Sequence, residues 1–259
     1  MPKSVTNTIQ DELSAQYEKK THLEHIKDLP DTYIGSVEPE VNTQWLVDND
    51  FMEEERDVYN EPIKFVKKEI NYSPGLKNII EEILVNAYDN KNRVDQKIRQ
   101  KVKGYKQFAV VTNIKVNVNR DEGIICIEND GEGIPVIKHS TEKIWIPQMI
   151  FGELLTSGNY NKNEEKITGG KNGYGAKLTN IFSTYFKVET VDRVNKLKYT
   201  QIYRDNMTVK EEPIVEKYTE RPFTRITFKP DFEKFGTKKM SKDFVALIEK
   251  RAYDMFACS

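Results

Sequence analysis

The sequence predicts an α+β fold in which a mixed β-sheet is covered on one face by helices. Apolar side chains recur at helical spacing from residue 73 onward, and residues 112–129 hold two β-rich runs around a hairpin signal. Later strands and helices follow without strict βαβ alternation. No internal repeat or Pro/Ser-rich linker divides the 259 residues. We therefore expect a polar N-terminal arm over residues 1–29 and a single domain over residues 30–259.

Composition restricts the function classes. Lys and Arg number 40 against 41 Asp and Glu, so the formal net charge is −1, which argues against a module that wraps nucleic acid by bulk charge. No run of about 18 apolar residues is present, and residues 1–10 lack the apolar stretch of a signal peptide. Two cysteines and three scattered histidines make a disulfide framework or a zinc site improbable. We expect a soluble, intracellular protein with no membrane partner.

The N-terminal elements come first. Residues 8–28 have a polar helical pattern that is broken near Thr21 and stops at the turn signal of Pro30. Residues 32–37 are predicted to form a loop or an edge segment. Residues 43–48 and 63–71 are predicted strands, and the acidic residues 53–56 between them indicate a solvated turn.

A long helix is predicted to begin at Ser73 as the N-cap, with Pro74 in its first turn. Its apolar positions, which should face the core, are Leu76, Ile79, Ile80, Ile83 and Ala87. Residues 112–119 and 123–129 follow as a hairpin. The continuously apolar residues 124–127 predict a strand that is covered on both faces.

In the second half of the chain, the predicted helices and strands follow each other less regularly. Residues 146–155 predict a helix, and the Gly/Asn/Lys-rich residues 156–176 are long for a structureless loop, which indicates a functional lid. A helix resumes near Lys177. The remaining predicted elements are strands at residues 186–192, 198–204 and 224–229 and a last helix at residues 242–256.

The first segment that could carry catalytic or binding residues is EEILVNAYDN at residues 81–90. Glu82, Asn86 and Asn90 are four residues apart, so they lie on one stripe of the helix. A carboxylate can take a proton from water, and an amide oxygen one turn away can hold a hard cation such as Mg²⁺. A solvated helix face is the alternative.

The second segment is ENDGEGIP at residues 128–135, directly after the apolar strand. Gly131 and Gly133 allow a sharp turn and a close backbone approach to a flat ligand. The polar side chain at the end of the strand can then read the edge of a base. Val136 stands where a dinucleotide fingerprint needs its third glycine, and an ordinary turn remains the alternative.

The third segment is GGKNGYGAK at residues 169–177. Its glycines expose backbone N–H groups ahead of a helix, and Lys171 and Lys177 add positive charge, which suits phosphate. Leu178 replaces the hydroxyl residue of a P-loop. A flexible linker is the alternative.

These three segments, in this order, resemble the Bergerat nucleotide-binding fold of the GHKL ATPases. Further segments resemble eukaryotic-type (type IIA) DNA topoisomerase II over nearly the whole chain, from about Tyr17 onward. They are DTYIGSV at 31–37, EILVNA at 82–87, LLTS at 154–157, GYGAKL at 173–178 and RAYDM at 251–255.

The resemblance implies the site residues. Glu82 would be the general base that activates the attacking water, and Asn86 the Mg²⁺ ligand. Asn129 would read adenine with help from Thr227. The other nucleotide contacts that it implies are Asn90, Gly133, Ile134, Ser157, Gly158, Asn159, Gly170, Lys171, Asn172, Gly173, Tyr174, Gly175, Ala176 and Lys177.

Three positions depart from the family pattern. Gly158 stands where a second serine is common, and Lys171 stands where arginine is usual, so the planar fork of a guanidinium is lost. Glu132 stands where a basic residue is typical, so an ion pair from that position to Asp89 cannot form. We expect nucleotide binding to survive, with its fine affinity altered.

The implied function is that of a type II topoisomerase ATPase domain with ATP and Mg²⁺ as cofactors. ATP binding would close a homodimer around DNA, and hydrolysis would reset the gate. The arm before Pro30 would reach across to the other protomer. The transducer domain, whose lysine reaches the γ-phosphate, and the DNA-cleavage core would lie outside this chain. The enzyme would be nuclear if cellular, or in the host cell or virion if viral.

Three other functions compete with this one. Another GHKL enzyme, such as a mismatch-repair ATPase or a chaperone, is disfavoured by residues 33–35 and 154–157. A nucleotide-sensing module that binds ATP without turnover is disfavoured by Glu82. A GHKL histidine kinase would need a helix that presents a phosphoacceptor histidine.

Overall fold

The computed structural model describes residues 20–48, 63–102, 104, 108–154 and 174–257. The described chain begins with helix α1 (His22–Asp28), whose N-cap is Thr21. The Thr21 hydroxyl accepts from the Glu24 N–H at 3.3 Å, and the Glu24 carboxylate accepts from the Thr21 N–H at 2.7 Å. This capping box starts a helix where the sequence predicted a break. Ile26 of α1 is buried in the main core, while the boundary at residue 30 stays a prediction.

Residues 30–34 correct the sequence analysis. They form a short helix, α2 (Pro30–Ile34), so the loop that was predicted to start at residue 32 starts only at Gly35. The proline begins the helix because its fixed φ and missing N–H are both tolerated in the first helical turn. Gly35 ends it with a φ of 81°, which glycine adopts without strain.

A small antiparallel sheet follows, formed by β1 (Glu40–Val47) and β2 (Phe65–Tyr72). It leads into the long helix α3 (Pro74–Arg99). The Ser73 hydroxyl accepts from the Leu76 N–H at 3.2 Å, so the predicted N-cap is confirmed. The predicted core positions of α3 are also confirmed, since Leu76, Ile79, Ile80, Ile83 and Ala87 are all buried.

The main sheet has seven strands in the order β3-β4-β9-β5-β6-β7, with β8 also paired to β6. The strands are β3 (Ile114–Asn119), β4 (Ile124–Asp130), β5 (Ser183–Asp192), β6 (Leu197–Arg204), β7 (Val209–Lys210), β8 (Ile214–Lys217) and β9 (Phe223–Pro230). The α+β class is confirmed. The described strand pairs are all antiparallel where a mixed sheet was expected. Because β9 lies between β4 and β5 and is antiparallel to both, β4 and β5 run parallel without pairing.

Helices cover one face of this sheet. They are α3, α4 (Ile146–Gly152), α5 (Gly175–Ile181) and α6 (Lys242–Ala257), the last of which also packs on β1 and β2. The prediction of a strand covered on both faces is wrong for residues 124–127. Ile125 and Ile127 are buried, whereas Ile124 and Cys126 are half-exposed on the other face. That face carries charged side chains, so the run is apolar without being buried throughout.

The end of α4 and the start of α5 frame residues 155–173, which lie outside the described residues and include residues 156–173 of the predicted lid. The last predicted lid positions, 174–176, are described, and α5 already begins at Gly175, two residues before the predicted start near Lys177. Helix α4 ends at Gly152, three residues before its predicted end. A Cβ at Gly152 would lie 2.4 Å from the Tyr203 hydroxyl, so the helix packs directly on β6. Within the described ranges, no helix has both the length and the apolar character needed to cross a membrane.

Candidate nucleotide site

A cleft opens between α3, the ends of β4 and β9, and the α4–α5 pair. It encloses about 870 Å³, including the space at its open mouth, which falls within the range of small-molecule sites. The described residues that line it are Ile83, Asn86, Ala87, Asp89, Asn90, Arg93, Ile127, Asn129, Ile134, Ile150, Phe151, Ala176, Thr224 and Ile226. Apolar side chains from α3, β4, β9 and the α4–α5 pair form much of the lining, and polar groups come from α3 and from the pairing of β4 with β9.

The α3 side of the cleft presents two carboxamides. Asn86 donates from Nδ2 to the backbone oxygen of Glu82 at 2.6 Å, so its Oδ1 atom is left for the cleft. Asn90 donates from Nδ2 to the backbone oxygen of Glu132 at 3.0 Å and accepts from Arg93 Nη2 at 2.9 Å. Two members of the predicted i, i+4 stripe, Asn86 and Asn90, thus line the cleft. An amide oxygen that is held in place by the hydrogen bond of its own nitrogen suits a hard cation such as Mg²⁺.

Glu82 lies one turn before Asn86 and is half-buried. Burial raises the pKa of this carboxyl above its ordinary value, and the negative charges of Asp89 and Glu81 raise it further. A Cβ added to Gly175 would lie 1.8 Å from Glu82 Oε2, so the carboxylate lies directly against the start of α5. A half-buried carboxylate with a raised pKa is a stronger base towards water than a solvated one.

The other end of the cleft is formed where β4 and β9 pair. Asn129 and Thr224 are direct cross-strand partners, and both line the cleft with Ile134. Asn129 is 4% exposed, and its Nδ2 donates to the backbone oxygen of Asp130 at 3.1 Å. Because a carbonyl oxygen can only accept, the amide nitrogen must face Asp130, and Oδ1 remains as an acceptor.

The glycine turn after β4 is held from behind by the end of β5. Ile134 N–H donates to Thr190 Oγ1 at 2.9 Å, and Val136 N–H donates to Asp192 Oδ2 at 2.7 Å. Val191 lies between the two acceptor residues on β5, and a Cβ on Gly133 would lie 2.0 Å from its carbonyl oxygen. Only glycine allows this approach, so the turn lies flush on β5.

Asp130 fixes the front of the same turn. Its carboxylate accepts from the backbone N–H groups of Thr112 and Asn113 at 2.6 and 2.9 Å and also pairs with Arg221. Burial by itself would raise the pKa of Asp130, but the hydrogen bonds from Asn113 and Thr112 lower it below the ordinary value. The carboxylate therefore stays ionised and locks the strand end on which Asn129 sits.

Comparison with known proteins gives a consistent result. No protein-family model matches the chain. It is 45% identical over 239 residues to DNA topoisomerase 2-beta of Mus musculus and 46% identical over 243 residues to DNA topoisomerase 2 of Caenorhabditis elegans. These matches cover 92% and 94% of this chain but only 13% and 14% of the two relatives.

Solved structures agree. The ATPase region of Saccharomyces cerevisiae topoisomerase II matches with a TM-score of 0.80 and 42% identity, over 93% of this chain and 58% of that one. The ATPase and transducer domains of DNA topoisomerase II from Balamuthia mandrillaris match with a TM-score of 0.81 and 40% identity, over 95% of this chain and 58% of that one. The chain belongs to the type II DNA topoisomerase family, as its ATPase region.

In this topoisomerase fold, the prediction that Thr227 contacts the base is wrong. Thr227 lies on β9 opposite Cys126 and Lys187, and its side chain is on the other face of the sheet from the cleft. Side chains alternate along a strand, so Thr224 and Ile226 face the cleft and Thr227 cannot. Thr224, three residues earlier, is the threonine next to Asn129. The signal was in the sequence, because Thr224 is in phase with the buried Ile226 and Phe228.

The start of α5 holds the remaining described predictions. Ala176 lines the cleft, and the Tyr174 ring packs edge-on against His22 of α1 at 5.7 Å between centroids. Lys177 is only 1% exposed, and burial lowers its pKa to about 8 against the opposing effect of Glu153. Its contact with phosphate stays a prediction. The other residues that were predicted to contact the nucleotide lie outside the described residues: Ser157, Gly158, Asn159, Gly170, Lys171, Asn172 and Gly173.

Two charged residues were missed by the sequence analysis. Arg93 lines the cleft two turns after Asn86 and is held by Asn90. Arg193 follows β5, and its Nη2 lies 3.7 Å from Glu132 Oε2, which also accepts from the Ala109 N–H at 2.8 Å. Glu132 is therefore paired with a cation from the β5–β6 turn. A basic residue, which is typical at this position in the family, would instead be able to pair with Asp89.

Proposed function

We propose that this topoisomerase ATPase region binds Mg·ATP in the cleft beside α3 and hydrolyses it with Glu82 as the general base. The observation that carries the proposal is the arrangement of the cleft. An acceptor and a hydroxyl lie at one end, on Asn129 and Thr224. The half-buried carboxylate of Glu82 lies beyond the other end, one helical turn from the Asn86 oxygen.

Each group has one task in this proposal. Asn129 and Thr224 hold the base, and the apolar walls around Ile127 and Ile226 cover its faces. The Asn86 oxygen would hold Mg²⁺, which neutralises phosphate charge when it is bound. Glu82 takes a proton from the water that attacks the γ-phosphorus, and the bond from that phosphorus to the β,γ-bridging oxygen breaks. ADP and inorganic phosphate leave.

The role in the whole enzyme is also a proposal, since the chain spans about one-seventh of the curated relatives that it matches. ATP binding would close two copies of this region into a dimer around a DNA segment, so that strand passage can occur. Hydrolysis would reopen the gate. The relatives named above are eukaryotic proteins called DNA topoisomerase 2, which favours a nuclear enzyme.

The test is a pair of substitutions on α3 in the full-length enzyme. Glu82→Gln should retain nucleotide binding and lower hydrolysis by about 10²–10⁴-fold, as loss of a general base does. Asn86→Ala should weaken Mg·ATP binding more than Glu82→Gln, because it removes an oxygen ligand. Binding is measured by titration with a non-hydrolysable analogue, and turnover by phosphate release.

The control is Glu81→Gln. Glu81 is the adjacent carboxylate but pairs with Lys77 at 2.9 Å and Arg251 at 2.5 Å, on the α6 side of α3. The Glu81→Gln enzyme should keep most of the ATP turnover of the unaltered enzyme. Undiminished hydrolysis in Glu82→Gln would exclude this residue as the base. Binding without any turnover by the unaltered enzyme would favour a nucleotide-sensing role.

A further inference from the structure

We propose that Thr190 is a positioning residue that fixes the hydrogen-bond polarity of the base end of the cleft, and that it thereby selects adenine over a 6-oxopurine. The proposal rests on the proposed function, because it assigns the base specificity of that same site. Thr190 lies behind the cleft on β5 and is fully buried, so it acts through its neighbours.

Two groups of the cleft are bound to the Thr190 hydroxyl. Thr190 pairs with Thr224 across β5 and β9, and their Oγ1 atoms are 2.9 Å apart. The same Thr190 oxygen accepts from the Ile134 N–H at 2.9 Å. One hydroxyl therefore sets both the rotamer of Thr224 and the position of the glycine turn.

The direction of the bond between the two threonines follows from burial. If Thr224 donated to Thr190, the hydrogen of the Thr190 hydroxyl would have no acceptor among the hydrogen bonds of the described residues, and a buried unsatisfied donor is costly. Thr190 must therefore donate to Thr224. The hydrogen of Thr224 is then directed to the cleft, where Thr224 acts as a donor.

The neighbouring group has the opposite polarity. Asn129 uses its nitrogen on the Asp130 carbonyl, so it offers an oxygen acceptor to the cleft. An acceptor beside a donor matches adenine, whose 6-amino group donates and whose N1 accepts. Hypoxanthine and guanine present an acceptor at position 6 and an N–H at position 1, so both contacts would be mismatched.

The experiment measures dissociation constants for Mg·ATP and Mg·ITP by isothermal titration calorimetry on this chain. ITP carries a 6-oxo group and an N1–H, and is otherwise the same nucleotide. The unaltered chain should prefer ATP. Thr190→Val keeps the shape without the hydroxyl and should lose about tenfold of the ATP-over-ITP preference, the size expected for one lost hydrogen bond. Thr190→Ser should retain the preference.

The matched control is Thr200→Val, on the next strand at a half-buried position that does not line the cleft; it should behave as the unaltered chain. Thr190→Ala gives the same readout if the valine variant does not fold. An unchanged ATP-over-ITP preference in the variants without the hydroxyl would overturn the inference, and so would equal losses in Thr190→Ser and Thr190→Val. Failure of the unaltered chain to bind either nucleotide would instead overturn the proposed function.

Discussion

At the scale of single residues, the surroundings of Glu82 determine its chemistry. Burial is the largest cause of its raised pKa, and the charges of Asp89 and Glu81 add to it. The carboxylate must be ionised to accept a proton. Hydrolysis should therefore fall as the pH drops through this raised pKa, and the acid limb should lie above the ordinary pKa of a glutamate.

The dependence on Asp89 gives a directional prediction for the pH profile. Asp89→Asn removes a negative charge near Glu82, so the pKa of Glu82 should fall and the acid limb of kcat should move to lower pH. Asp95→Asn is the control, because Asp95 lies farther along α3 and pairs with Lys91 at 3.0 Å. A limb that stays in place or moves to higher pH in Asp89→Asn would contradict the electrostatic argument.

Two threonines of β9 provide a second residue-scale prediction. Thr224 lines the cleft next to Asn129, whereas Thr227 is on the opposite face of the sheet. Thr224→Val should raise the dissociation constant for ATP by about tenfold, since one hydrogen bond is lost in a buried site. Thr227→Val should leave it unchanged. Equal effects of the two substitutions in a binding titration would place the base elsewhere.

At the scale of elements, local signals decided what the sequence could predict. Helix α3 was predictable because its N-cap and apolar period agree, and the β3–β4 hairpin because polar turn residues separate two β-rich runs. Helix α2 was missed because Pro30 serves equally as a turn signal and as a helix start. The short strands β7 and β8 have no apolar run of their own. They form because β6 offers an unpaired edge, which only the tertiary structure supplies.

The exposed face of the main sheet shows a cross-strand order that no local signal contains. Charges alternate in sign from strand to strand: Lys115, Glu128, Arg225, Glu189, Lys198 and Glu216. Consecutive members lie 3.9, 2.6, 3.5, 3.7 and 3.4 Å apart. Opposite charges on neighbouring strands stabilise one register and penalise a slip. On this face, the strand register is therefore specified by ion pairs, whereas on the other face it is specified by the burial of apolar side chains.

Arg225 is the centre of this charge ladder and gives an element-scale prediction. It pairs with both Glu128 and Glu189, whose side chains are only 18% and 8% exposed. Arg225→Met would leave two poorly solvated carboxylates on β4 and β5, the strands that flank β9, and should lower the free energy of unfolding by about 1–3 kcal/mol. Chemical denaturation measures this change.

The control for that measurement is Arg204→Met. Arg204 pairs with Glu211 at 2.6 Å, but both side chains are about half-exposed, and such surface pairs contribute little. Its denaturation midpoint should stay close to that of the unaltered chain. If both variants are equally stable, the ladder has no effect on stability.

At the scale of the whole molecule, the two faces of the sheet have separate functions. The helix-covered face forms the cleft, and the other face balances its own charges, in keeping with a net charge of −1. Such a surface offers no bulk attraction for DNA. In the proposed mechanism, dimer closure would therefore enclose the DNA, and any contact between DNA and this region would be local.

The last prediction concerns the positive charge that the described part of the cleft supplies. In the proposed mechanism, Glu82 beside the cleft is the general base, the Asn86 oxygen is the cation ligand, and Asn129 and Thr224 read the nucleobase. Among the described residues that line the cleft, Arg93 is the cationic side chain and is already held by Asn90. Phosphoryl transfer needs positive charge at the transferring group. The family resemblance assigns that charge to a lysine of a transducer domain, and the Balamuthia structure contains such a domain beside its ATPase domain.

The 259-residue chain should therefore bind ATP, hydrolyse it slowly and be mostly monomeric without nucleotide. The same protein extended through the transducer region of its relatives should hydrolyse ATP faster by about 10²-fold, the usual effect of one preorganised group that stabilises the transition-state charge. It should also form dimers that depend on nucleotide. The measurements are turnover per site and solution mass by light scattering, each with and without a saturating non-hydrolysable analogue. Turnover by the short chain that equals that of the extended protein would show that the site needs no further cation. Dimers of the short chain without nucleotide would show that closure does not depend on ATP.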